Sequence, residues 1–236
     1  FRQIAEGFEY EYGVVDNIGD KLLIVTNYNA PKKQLALVDP ADPAPEKWKV
    51  LIPEAENVLE SVTLTGDKLV AEYQQRAHSV ALVYDLEGKF IHEITLPGLG
   101  TLAGFSGKKG DNTAFYGYTS FTFPATVYKY DVAKNESAIH TKPEIDFDPE
   151  KYEVKQVEYA GKDGTTITMF IVHRKGLEMD GKNPTLLYGY GGFNVSLTPG
   201  FSISRVVFLE SGGVYAMPNL RGGGEYGEEW HKAGTK

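Results

Sequence analysis

Apolar and polar residues alternate in short runs over roughly the first 140 residues, and the runs recur at a fixed interval. Gly19-Asp20-Lys21-Leu22-Leu23 leads on to Leu37-Val38-Asp39, Gly66-Asp67-Lys68-Leu69-Val70 to Val83-Tyr84-Asp85, and Asp111-Asn112-Thr113-Ala114-Phe115 to Lys129-Tyr130-Asp131. The closing aspartates, Asp39, Asp85 and Asp131, stand 46 residues apart. A period in the forties made of short β-rich runs marks the blades of a propeller. Each unit predicts a turn, an apolar strand, a polar connection, a second alternating strand, then Asp and another turn. Leu22, Leu23, Ile24 and Val25 make one such strand, and Val80, Ala81, Leu82, Val83 and Tyr84 another. The repeated aspartates read as turn formers, because an Asp side chain can accept from the backbone N–H two residues on. Metal ligation is the sharper alternative, but no second carboxylate recurs beside them. Three blades do not close a ring that takes at least about four, so further blades are expected before Phe1.

The repeat lapses at Thr141-Lys142-Pro143-Glu144-Ile145-Asp146-Phe147-Asp148-Pro149, an acidic, Pro-bearing connection that reads as a domain boundary. Residues 1–145 form the propeller part and residues 146–236 a second domain. Residues 152–159, the turn Lys162-Asp163-Gly164, and Thr166-Ile167-Thr168-Met169-Phe170-Ile171-Val172 predict a hairpin. Pro184-Thr185-Leu186-Leu187-Tyr188 is a short strand running straight into glycines. Over residues 202–211, Ile203, Val206, Val207 and Leu209 suit one helix face, with Gly212-Gly213 as the stop and Val214-Tyr215-Ala216-Met217 as a buried strand. A hairpin followed by strand, helix and strand is how an α/β sheet begins.

Composition narrows the function. The 42% hydrophobic content suits a globular chain with a core. With a net charge of -8 and 24 Lys and Arg in no block, nucleic acid is not an expected partner. There is no cysteine, which removes disulfides, thiolate catalysis and Cys-based zinc sites and suits a reducing compartment. No apolar run reaches the roughly 18 residues of a membrane span, and Phe1-Arg2-Gln3-Ile4-Ala5-Glu6 has no leader layout. Without an initiator Met, the chain is expected to begin inside a longer polypeptide.

Two loops carry the candidate chemistry: Tyr188-Gly189-Tyr190-Gly191-Gly192-Phe193-Asn194, and Asn219-Leu220-Arg221-Gly222-Gly223-Gly224-Glu225-Tyr226-Gly227. Each follows an apolar strand, where α/β enzymes assemble their sites. The second satisfies G-x-G-x-x-G, yet Glu225, Glu228 and Glu229 oppose a pyrophosphate and no ribose-binding acid follows. It reads instead as a loop that lets backbones approach closely, with Arg221 paired to a local carboxylate. Gly104-Phe105-Ser106-Gly107 is not a nucleophile elbow. His78, His92, His140, His173 and His231 show no paired ligand spacing, so no metal or cofactor is expected. In the first loop Tyr190 has a phenolic O–H, a donor at neutral pH that suits an oxyanion hole. The alternative is a buried tyrosine whose hydroxyl is satisfied by backbone.

Leu187-Tyr188-Gly189-Tyr190-Gly191-Gly192-Phe193-Asn194 and Arg221-Gly222-Gly223-Gly224-Glu225-Tyr226-Gly227, followed by Trp230-His231-Lys232, resemble the prolyl oligopeptidase family of serine peptidases. Weaker echoes are Trp48-Lys49-Val50-Leu51-Ile52-Pro53-Glu54 and Met169-Phe170-Ile171-Val172-His173, and the likeness runs end to end. The resemblance implies the last three blades of a seven-bladed β-propeller (1–145), followed by the beginning of an α/β-hydrolase domain (146–236). It implies an endopeptidase acting on short proline-containing peptides, monomeric at full length and cytoplasmic or periplasmic. Tyr190 maps onto the oxyanion donor and Phe193 onto the proline pocket. The family's Ser, Asp and His lie downstream of the stretch that this chain matches, and His231 does not match that His, so the chain alone is expected to be inactive. Sister oligopeptidases of basic-residue or acylaminoacyl specificity remain open, as does a propeller scaffold that binds peptides without cleaving them.

Overall fold

The computed structural model describes residues 3–235; Phe1 and Arg2, which open the stretch read for a leader, lie outside them. Sixteen strands fall into four four-stranded sheets among these residues. The first three are antiparallel meanders: β1 (Tyr12–Ile18), β2 (Lys21–Thr26), β3 (Gln34–Val38) and β4 (Lys49–Ile52); β5 (Val58–Thr65), β6 (Lys68–Gln75), β7 (His78–Tyr84) and β8 (Phe90–Ile94); β9 (Thr101–Gly107), β10 (Thr113–Thr119), β11 (Thr126–Asp131) and β12 (Glu136–Thr141). The first strands, β1, β5 and β9, approach one another, while β12 is exposed along its whole length. The sheets therefore fan outward from a common axis, the arrangement of propeller blades.

Burial follows position in that fan. The middle blade is covered on both faces, so six successive residues of β6 are buried, whereas β10 alternates between buried and half-buried. One core fills the gap between the first two blades around Leu23, Leu35, Leu59 and Leu69, and another fills the next gap around Val83, Tyr116 and Tyr130. Glu72 of β6 is carried inside with only 7% exposure, its carboxylate accepting from Ser79 Oγ at 3.2 Å and Ser61 Oγ at 3.4 Å. Burial, opposed by those hydroxyls, pushes its carboxyl up to about 7.

The aspartates of the repeat act as turn formers. Oδ1 of Asp39 accepts from Ala41 N–H at 2.8 Å, that of Asp85 from Glu87 N–H at 3.0 Å, and that of Asp131 from Ala133 N–H at 3.1 Å. In each blade this turn leads from the third strand to the fourth.

The fourth sheet is mixed, in the order β13 (Tyr152–Ala160), β14 (Thr166–Arg174), β16 (Val214–Pro218), β15 (Thr185–Leu187). β13 and β14 form the expected hairpin, and β15 runs parallel to β16 through a crossover containing α1 (Ile203–Glu210), as an α/β fold begins. Gly212 and Gly213 close the helix by donating to the carbonyls of Leu209 and Phe208. The apolar face expected of α1 is only half used: Val206 and Leu209 are buried, but Ile203 and Val207 face outward. A second helix, α2 (Glu228–Lys232), follows the glycine-rich loop, with acids in its first turn and His231 and Lys232 in its last, as the helix dipole favours.

Blades and mixed sheet share a core. Ala77, at the tip of the β6–β7 hairpin, and Phe121, from the β10–β11 connection, are fully buried against Phe170, Leu209, Tyr215 and Met217. The Phe121 ring lies 5.3 Å from that of Phe170, and the Arg205 guanidinium stacks over Phe121 at 5.1 Å and over Tyr215 at 4.2 Å. No helix among the described residues is long and apolar enough to cross a membrane.

Candidate functional site

β15 ends at Leu187, and its direction is continued by Tyr188, whose N–H donates to Ala216 O at 2.9 Å. The chain then leaves the sheet edge as the loop bearing Tyr190 and Phe193. Tyr190 is 50% exposed, so it is not the buried, backbone-satisfied tyrosine that was the alternative reading. Phe193 is 88% exposed, and both it and Asn194 adopt left-handed backbone, with φ of 52° and 58°. Asn tolerates that region; for Phe it is a strained state. A turn in which Val195 N–H donates to Gly192 O at 3.0 Å encloses the pair.

The second glycine-rich loop lies against the first, backbone on backbone. A Cβ on Gly222 would sit 2.4 Å from Gly191 O, and one on Gly191 would sit 2.7 Å from Leu220 Cβ. Only glycine at both positions permits this approach. The contact brings Asn194 N–H within 3.0 Å of Gly222 O. This is the close-approach role expected of the run, and no phosphate cradle is required to account for it. Arg221 pairs with Asp163 at 2.6 Å; the Thr165 N–H and then that guanidinium hold the Asp163 carboxyl down at about 2.

The histidines are scattered. His231 Nδ1 donates to Gly222 O at 2.9 Å, which braces the second loop, and His92 Nε2 meets Tyr130 OH at 3.1 Å between the second and third blades. His173 is buried in β14.

Several supporting residues had no sequence signal. Gln74 of β6 donates to Ser196 Oγ at 3.2 Å, Thr101 of β9 donates to Pro199 O at 2.7 Å, and Thr119 of β10 accepts from Phe201 N–H at 3.2 Å. Two blades thus hold the segment that follows Phe193. From below, Asn219 Nδ2 donates to Leu197 O at 2.8 Å, and Glu225 Oε1 accepts from Leu197 N–H at 2.8 Å. Glu225 is 1% exposed, and burial raises its carboxyl above the ordinary range. A carboxylate inside a run of glycines is the one local oddity that pointed to it.

The fold agrees with what known proteins show. A family model described as the prolyl oligopeptidase N-terminal β-propeller domain matches residues 1–143, and one described as the prolyl oligopeptidase family matches residues 199–236. The chain is similar to the prolyl endopeptidase of Elizabethkingia miricola, 44% identical over 100% of the chain and 33% of that protein. It is 35% identical to the prolyl endopeptidase of Dictyostelium discoideum, over 99% of the chain and 32% of that protein. Among solved structures, one from a mechanistic study of two prolyl endopeptidases superimposes with a TM-score of 0.91 at 44% identity, covering 98% of this chain and 34% of that one. Prolyl oligopeptidase B from Galerina marginata, bound to a 35mer substrate, superimposes with a TM-score of 0.91 at 31% identity, covering 99% and 33%. The chain spans about a third of the length of the curated relatives it matches.

Proposed function

Because the chain belongs to the prolyl oligopeptidase family, we propose that it is part of a serine endopeptidase hydrolysing short peptides on the carboxyl side of proline. In this reading residues 1–145 are the last three blades of a seven-bladed propeller that bars large folded substrates. Residues 146–236 are the N-terminal part of the hydrolase domain, and the Ser, Asp and His of the catalytic set lie outside these residues. The serine oxygen attacks the carbonyl carbon of the proline residue as the histidine of that set takes the hydroxyl proton, and the carbonyl π pair moves onto oxygen. The Tyr190 O–H donates to that oxyanion. Because the charge is larger in the tetrahedral state than in the bound substrate, this bond lowers the barrier more than it tightens binding. Phe193 lays its ring on the pyrrolidine of the substrate, a way of selecting an apolar, φ-locked residue.

The observation that supports this reading is the loop itself. Two exposed aromatic side chains leave the C-terminal end of β15, and Phe193 is kept in left-handed backbone. Such strain persists only where the surroundings over-determine it, and it gathers at sites that bind and react. The test is kcat/KM of the full-length protein on matched prolyl and arginyl amides. A prolyl preference is expected, and an arginyl preference would replace the reading with basic-residue specificity. Peptide binding with no turnover and no labelling by a serine-directed phosphonate would replace it with a binding scaffold. The same reading has the protein a monomer at full length, cytoplasmic or periplasmic, which sedimentation and fractionation check.

A further inference from the structure

Glu225 stands out among the buried polar groups because nothing about it is explained by charge. No cation pairs with it among the described residues, Oε2 has no hydrogen-bond partner there, and its one firm contact outside its own loop is Oε1 with Leu197 N–H at 2.8 Å. That contact falls at a telling place. Leu197 is four residues beyond Phe193, and its side chain packs against the core shared by blades and mixed sheet. Its carbonyl is held by Asn219, and the preceding Ser196 is held by Gln74.

The left-handed pair Phe193-Asn194 therefore has two fixed ends. On the N-terminal side Tyr188 N–H is tied to Ala216 O, and on the C-terminal side Leu197 N–H is tied to Glu225, with Asn194 N–H on Gly222 O between them. Loss of the Glu225 tie leaves Leu197 N–H unpaired at a partly buried position, and the backbone from Phe193 to Leu197, which carries the strained left-handed pair, relaxes to satisfy it. Relaxation would redirect the exposed Phe193 ring.

We propose that Glu225 is a positioning residue: its buried carboxyl acts as a hydrogen-bond acceptor that fixes the Leu197 backbone and so sets the direction of Phe193 and the shape of the substrate pocket. The inference rests on the reading of Phe193 given above. What matters is the reach of the acceptor and not its charge, since a carboxyl buried without a cation favours its neutral form.

Two substitutions in the full-length protein separate reach from charge. Glu225→Gln keeps an acceptor oxygen at the same distance and removes the ionisable group; Glu225→Asp keeps the ionisable carboxyl and withdraws the acceptor by one methylene. With active sites counted by phosphonate titration, kcat/KM is measured on matched prolyl and alanyl amides, together with Tm. The Gln variant is expected to stay within about twofold of wild type in prolyl-over-alanyl selectivity. The Asp variant is expected to lose about tenfold of that selectivity per active site, the scale of one displaced apolar contact, while keeping its Tm within a few degrees. Asp equal to wild type, Gln as impaired as Asp, or loss of folded protein in place of selectivity would each overturn the proposal. Wild-type protein with no prolyl preference would sink the underlying reading instead, so the two failures are distinguishable.

Discussion

The blades and the paired loops are built on opposite principles. In the blades, sheets meet face to face through side chains such as Leu23, Leu69 and Tyr130, and the same turn chemistry recurs at Asp39, Asp85 and Asp131. At the paired loops, backbone meets backbone at Gly191 and Gly222, and the side chains of interest are left outside. Side-chain packing tolerates adjustment, because rotamers and neighbours can shift. A backbone contact with no room for one methyl group cannot adjust without moving the loop. The scaffold is thus redundant where it repeats and intolerant where it presents Tyr190 and Phe193.

The comparison breaks most readily at the junction between the two regions. Phe121→Ala removes a fully buried ring that bridges blade and mixed sheet, and it should lower the unfolding free energy by about 3–5 kcal/mol in denaturant titration of the full-length protein. A loss below about 1 kcal/mol would mean that the shared core is not a structural joint. Gly222→Ala sharpens the contrast. Its Cβ would meet Gly191 O, and kcat/KM on a prolyl amide should fall about 10²-fold, the scale of a reacting group misplaced by about 1 Å, with little change in the circular dichroism of the blades. Retained activity would show that the loop contact does not set the site.

Smaller effects belong to the blades. Glu72 titrates at about 7 in the fold, against 4.5 for an ordinary Glu. Between those values the folded chain keeps a proton that the unfolded chain has lost. The stabilisation is therefore complete below pH 4.5 and is lost as pH rises through about 7. Glu72→Gln fixes the neutral form, so the variant should exceed wild type by roughly 1–3 kcal/mol at pH 8 and much less at pH 4. An advantage that does not depend on pH would contradict the burial of a titrating acid. Smallest of all, Asp85→Ala should cost about 0.5–1 kcal/mol, the scale of a partly exposed turn hydrogen bond, and Asp39→Ala and Asp131→Ala should cost much the same. Widely unequal losses would show that the three turns are not equivalent.

The same contrast explains what was legible in the sequence. Strands β2 and β7, the β13–β14 hairpin and the β15–α1–β16 crossover follow from local periodicity, since alternation and turn residues act within a few positions of one another. The loop motifs are legible as words, and the glycine run signals a close backbone approach, but not that Gly191 is the partner of Gly222. The contacts of Gln74 with Ser196 and of Thr101 with Pro199 were not, because they join segments about a hundred residues apart and leave no periodic trace. The outward half of α1 was misjudged for a related reason. Ile203 and Val207 are as apolar as Val206 and Leu209, and only tertiary placement decides which pair meets the sheet.

The most direct measurement is kcat of the Tyr190→Phe variant of the full-length protein on a saturating prolyl amide. Removing the proposed oxyanion donor while keeping the ring should lower kcat by about 10²-fold or more, with KM little changed, as expected of a bond made chiefly in the transition state. Unchanged turnover would remove Tyr190 from the chemistry and leave the loop a structural element.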